Sequence, residues 1–174
     1  MPSRSEHPRS RRPGQPRRPP VAVRGIPQGL LVACASFGPE LPAARVAAAI
    51  GRGLQAGGRP ELDLCPLEPH PLAAEDLREL LKALDFDARM RRARAVIVAE
   101  QDLAARTLSG AALIASITFE IATRARQGGV PAYAVGGAGG LDAFDARMLD
   151  LQIVIEAPSA RTLTAAGRKL AGLV

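Results

Sequence analysis

Aromatic side chains are nearly missing from this chain, which has no tryptophan, one tyrosine and four phenylalanines in 174 residues. Tyr133 and the phenylalanines are few and scattered, so they build no platform on which the bases of single-stranded nucleic acid would stack. Lysine is almost absent as well: Lys82 and Lys169 stand beside 21 arginines, the usage of a GC-rich genome, which weakens any functional reading of the arginines. Only two cysteines occur, Cys34 and Cys65. They form no CxxC pair, and with His7 and His70 they make no zinc set at a usual spacing. Both read as small buried apolar residues. No apolar run reaches the roughly 18 residues of a membrane span. The amino terminus also lacks the apolar stretch of a secretory or twin-arginine signal. These absences lead us to expect a cytoplasmic protein with no membrane contact.

The formal charge of +6 suggests nucleic acid until it is located. Residues 1 to 24 hold seven arginines against Glu6, which accounts for the whole excess and leaves the other 150 residues neutral. Residues 1 to 28 also carry seven prolines and few large apolar side chains. Such a stretch cannot bury enough surface to offset the entropy of ordering. We read it as a disordered Arg/Pro-rich arm, with residues 29 to 174 as one domain. The arm would bind nucleic acid only through counterion release, and it is equally what an upstream start codon yields in a GC-rich gene. It is taken as functionally inert.

From Leu30 onward short apolar runs alternate with stretches of helical period. The strands expected are Leu30 to Cys34, Leu62 to Cys65, Ala95 to Ala99, Val130 to Val135 and Leu151 to Ile155. Between them Val46, Ile50 and Leu54 share one helix face, as do Leu77, Leu80, Leu81 and Leu84. A further helix runs through Leu113, Ile117 and Ile121. A short helical piece surrounds Phe144, and a last helix carries Leu163 and Leu170. Right-handed crossovers between such units give an α/β fold: a Rossmann- or flavodoxin-like, mostly parallel five-stranded sheet with helices on both faces. Asp63 and Gln152 interrupt the second and fifth strands, which suits edge positions and the order 2-1-3-4-5. Ligands in such a sheet bind beyond the carboxyl ends of the strands, at the switch between strands one and three, here at loops 35–43 and 99–110.

Those loops carry a family resemblance. The stretch LLVACASFGPELPAARVAAAIGRGL (residues 30–54) with LDLCPL (62–67) resembles the amino terminus of bacterial glycerate kinases. That family reads there as a strand, D-S-F-K-G-[ST]-L-S-A, a helix, and a strand ending in P-[VIM]-A-D-G-G-E-G-T. ALDFDARMRRARAVIVAEQDLAARTLSGAA (83–112) is similar to its F-D-x-x-[LI]-x-x-A-D-L-V-[IV]-T-G-E-G-x-[LF]-D-x-Q-[ST]-x-x-G-K, and IVIEAPSARTLTAAGRKL to its carboxyl end. In the family a second domain is inserted into a discontinuous Rossmann-like domain; here the two halves adjoin near Glu68 to Pro71. The resemblance implies ATP-dependent phosphorylation of D-glycerate with Mg2+. It also implies Glu100 as the catalytic residue and Ser36, Thr107 and Gly110 as ligand contacts.

The match is incomplete where the chemistry lies. Ala35, Ser36, Phe37, Gly38 and Pro39 stand where the family has D-S-F-K-G, so a carboxylate and an ammonium are missing. Glu100, Leu103, Thr107, Leu108 and Gly110 keep their family identities. Ala99 and Gln101 replace glycines, Ala104 an aspartate, Arg106 a glutamine and Ala111 a lysine. Phosphoryl transfer rests on positioning and charge neutralisation, and loss of one such group costs about two to three orders of magnitude in rate. With several gone, the expectation is a truncated kinase relative with little or no catalysis of its own. The alternative is a non-catalytic binding or interaction module, with a protein partner or a second copy at the surface bared by the missing insert.

Residue patterns add weaker candidates. Gly136 and Gly137 open a glycine-rich run after the fourth strand, as a phosphate-binding loop or as a plain tight connection; the run matches neither GxGxxG nor GxxxxGK[ST]. Ser36 contacts a ligand or caps the next turn. With no G-x-S-x-G around it and only His70 in the folded part, no hydrolase triad arises. Glu100 is either a functional carboxylate or one satisfied by nearby backbone N–H groups. Asp85 and Asp87 mimic a metal-binding DxD, but residues i and i+2 share no helix face, and they are read as a helix end.

Overall fold

The computed structural model describes residues 29–68, 74–103, 116–137, 141 and 143–174. The amino-terminal arm, His70, Pro71, Thr107, Gly110 and Leu113 lie outside those residues. Five strands, β1 (Leu30–Cys34), β2 (Leu62–Pro66), β3 (Ala95–Glu100), β4 (Ala132–Gly136) and β5 (Leu151–Glu156), form one sheet in the order β2-β1-β3-β4-β5. Every pairing is parallel. The helices are α1 (Ala43–Ala56), α2 (Ala74–Ala83), α3 (Phe86–Arg92), α4 (Ile117–Gly128), α5 (Ala143–Met148) and α6 (Ala160–Ala171).

Side-chain alternation along the strands sorts the core into two layers. Leu30, Val32 and Cys34 of β1 join Val46, Ile50 and Leu54 of α1 and Leu163 and Leu170 of α6 on one face. Leu31 and Ala33 join Leu77 and Leu81 of α2, Phe86 and Met90 of α3, and Ile117 and Ile121 of α4 on the other. β1 and β3 are buried along their whole length, whereas β2 and β5 are partly exposed. That difference is why Asp63 and Gln152 are tolerated in the outer strands and the apolar AVIVA run stands in the middle. α1 and α6 cross with backbone against backbone. A Cβ on Gly53 would stand 2.1 Å from the Thr164 carbonyl oxygen, and one on Gly167 2.2 Å from that of Ile50.

Four strands end one residue later than expected, at Pro66, Glu100, Gly136 and Glu156, and three larger differences have local causes. β4 starts at Ala132, because Val130 belongs to the end of α4: its N–H donates to the Ala125 carbonyl at 2.9 Å, behind Gly129 in the left-handed conformation. The helix expected through Leu113 is described from Ile117, with Ser116 as its cap. A separate helix, α3, follows α2 after a break at Asp85, whose φ of 49° is left-handed. The reading of Asp85 and Asp87 as a helix junction therefore holds.

Candidate functional site

The carboxyl ends of β1, β3 and β4 bring together Ser36, Glu100, Gly136 and Gly137, four of the six residues singled out in the sequence. Glu100 ends β3 and is buried. Its Oε2 accepts from the Ser116 hydroxyl at 3.1 Å and from the Thr118 N–H at 3.0 Å, and its Oε1 from the Ile117 N–H at 3.4 Å. The first N–H groups of a helix have no partner within the helix and sit at the positive end of its dipole. Glu100 supplies that partner for α4. Ser116 adds the ordinary side-chain cap, accepting from the Phe119 N–H at 3.2 Å. Thr118 Oγ1, beside this cluster in the chain, is buried with no hydrogen-bond partner among the described residues.

A second helix faces the same end of the sheet. α1 begins at Pro42 with no side-chain cap. The Ala44 N–H meets Glu68 Oε1 at 3.4 Å instead. Helix N-termini at strand ends are where phosphates are usually held. In this protein each of these two points at a carboxylate of its own chain.

Gly136 and Gly137 serve close packing. A Cβ on Gly136 would stand 2.5 Å from Leu103 Cδ1, and one on Gly137 2.5 Å from the Gln101 carbonyl oxygen. The Gly137 N–H donates to that oxygen at 2.8 Å, and the Gly136 carbonyl accepts from Ala157 N–H at 2.7 Å. The loop after β3 thus lies directly on the end of β4, with the Gly137 N–H engaged in it.

Charge at this end is one-sided. The described residues of the loops after the strands include Glu40, Glu68 and Asp102, and Glu100 and Glu156 close β3 and β5; no lysine or arginine stands among residues 35–42, 67–68, 100–103, 136–137 or 156–159. A nucleotide triphosphate carries several negative charges, and among these described loop residues it would meet carboxylates and no cation. Among the described residues no group of three or more His, Cys, Asp and Glu is placed to hold a metal ion. The described residues of these loops therefore supply neither a cation nor a metal cluster for ATP with Mg2+. Asp87, half of the DxD pair, is held by both oxygens on Arg124 Nη1 at 3.0 Å. Arg124 also bonds Glu120; burial opposes its charge, but the two carboxylates hold its pKa above the ordinary value.

Both thiols are buried. Burial pushes the Cys34 pKa far above its ordinary value of 9.0. It also raises that of Cys65, against the pull of the Arg89 guanidinium 3.1 Å away. No described helix is long and apolar enough to cross a membrane.

Sequence reasoning identified Glu100 but missed Ser116, Thr118 and Glu68. Ser116 had a legible signal, a serine just ahead of the apolar period of α4. The other two are brought to the site by tertiary structure alone.

No family model and no curated protein matches this chain. Among solved structures it is similar to an NAD(P)H:quinone oxidoreductase from Methanothermobacter marburgensis at 16% identity and a TM-score of 0.48, over 84% of this chain and 98% of that one. It is also similar to a protein assigned as glycerate kinase 2 from Salmonella typhimurium LT2, at 13% identity and a TM-score of 0.41 over 64% of this chain. The match spans 27% of that kinase's length. The fold, one α/β domain with a parallel five-stranded sheet in the order β2-β1-β3-β4-β5, rests on this chain's own strand pairings.

Proposed function

We propose that this chain is a relative of the glycerate kinases, reduced to the Rossmann-like domain, that has given up phosphoryl transfer and works as a non-catalytic binding or interaction module. The observation that carries this reading is the engagement of Glu100. The carboxylate that the family motif would assign to chemistry accepts two backbone N–H groups and a hydroxyl at the start of α4, so its place in the fold is accounted for by capping. The carboxylate at the start of α1 and the acidic strand ends support it, because each works against a bound phosphate.

The test is thermal unfolding of the full chain with and without millimolar Mg-ATP, ADP and D-glycerate, followed by a coupled kinase assay. A ligand at 100 times its dissociation constant would stabilise the fold by about 2.7 kcal/mol. We expect no rise in midpoint and no turnover above background. Turnover that requires both ATP and glycerate would overturn the proposal.

A further inference from the structure

The two edges of the sheet are built differently. At β2 the Leu67 N–H donates inward to the Cys34 carbonyl at 2.8 Å. By the alternation of a parallel ladder, Cys65 and Asp63 also face β1, and Leu64 and Pro66 turn their main-chain groups outward. That outward row is closed. Pro66 has no N–H, and Arg89 lies along the strand, its Nη2 donating to the Leu64 carbonyl at 3.0 Å and to Asp63 at 2.6 Å. Proline and charge along an edge are the means by which sheets avoid pairing with one another.

Among the described residues β5 is less protected: its pairing with β4 shifts register between Ala132 and Ala134, and Glu156 at its end is its one charge. Its sequence, LQIVIE, holds no lysine, arginine or proline. The Ala157 N–H donates inward to Gly136, so Ile155 faces β4 as well and Val154 turns its N–H and C=O outward. Beside the edge lies a cavity of about 420 Å³ whose walls include Ala143, Ala146, Leu151, Ile153 and Val154. α5, which packs on β5, carries Phe144 and Met148 at i, i+4; at 60% and 59% exposure they are the most exposed large apolar side chains among the described residues.

We propose that β5 is a subunit interface, at which two copies of this chain pair their β5 strands antiparallel across a two-fold axis into one continuous sheet. The occupant follows from the edges themselves. Adding β5 of one copy to β2 of the next would propagate into a filament, and the closed β2 edge forbids it. The open outer row available in a second copy is its own β5, and a two-fold pairing is self-limiting. The charges agree: Arg147 and Asp150 precede the strand, Glu156 ends it and Arg161 follows it. Antiparallel pairing sets the first two against the last two of the other copy, so each end meets both signs. This interface is remote from the question of phosphoryl transfer and does not depend on its answer.

Sedimentation equilibrium of the full chain from sub-micromolar to tens of micromolar tests it, with amide hydrogen exchange at both extremes. The expected result is a dimer whose formation protects the Val154 amide. Gln152→Lys places a charge on the open edge, and Phe144→Asp with Met148→Asp changes only exposed positions. Each variant should melt as the parent does at low concentration and weaken the dimer on the order of tenfold or more. A chain that stays monomeric throughout overturns the proposal. So does a dimer that both variants leave unchanged, or one whose formation leaves Val154 exchange unaltered.

Discussion

Glu100 and Thr118, 18 residues apart in the chain, are joined by a hydrogen bond of 3.0 Å from the Thr118 N–H to the Glu100 carboxylate. The bond ties the end of the central strand to the start of α4, the helix of the crossover to β4.

Removing that carboxylate should cost stability. Glu100→Ala leaves the N–H groups of Ile117 and Thr118 and the Ser116 hydroxyl without their acceptor in a buried place. The loss is expected at about 2–3 kcal/mol, the range for hydrogen bonds to a charged group together with a helix cap. Glu100→Gln keeps one acceptor oxygen and should cost less. Urea unfolding of the three proteins measures the difference. An alanine variant as stable as the parent would mean that the carboxylate does not hold α4.

The order of the sheet was legible because it depends on burial, and burial leaves a pattern in single residues. Asp63 and Gln152 mark strands with one open side; Val96, Ile97 and Val98 mark a strand covered on both. The helix α3 was not legible. It offers only Phe86 and Met90 as a buried i, i+4 pair, too short a period to separate from α2 without the left-handed turn at Asp85. The site was half legible. Glu100, Ser36 and the glycines could be located at strand ends from the pattern alone. What each one touches depends on segments that return from elsewhere in the chain, such as Ser116 to Thr118 for Glu100 and Leu103 for Gly136. No local spacing encodes those contacts.

Gly136 offers a test of packing against ligand binding. With a Cβ at this position 2.5 Å from Leu103 Cδ1, Gly136→Ala forces the leucine aside and should cost about 1–3 kcal/mol, as overpacking does. Leu103 is buried, so Leu103→Ala is destabilising on its own. In that background Gly136→Ala should be nearly free, because the atom it strikes is gone. The double-mutant cycle should therefore show a coupling of the order of the overpacking cost itself. Additive effects would mean that the glycine is needed for another reason, such as the approach of a ligand to its backbone.

The buried thiols predict an alkaline weakness. Burial holds the Cys34 pKa above its ordinary value of 9.0 in the folded protein, so above that pH the unfolded chain gives up this proton while the folded chain keeps it. The unfolded state then binds fewer protons than the folded state, and stability falls as pH rises, at up to about 1.4 kcal/mol per pH unit for one group. Below the ordinary thiol range both states are protonated and Cys34 contributes no slope. Cys34→Ala should lower stability modestly and evenly at neutral pH, through the lost sulfur, and should be less steep than the parent above pH 9.0. Urea unfolding of both proteins at a series of pH values from neutral upward measures the two slopes. Parallel curves would show that the Cys34 thiol ionises as readily in the fold as in the open chain, and that its seat beneath α1 is more accessible to water than the packing of Val32, Val46 and Ile97 around that layer implies.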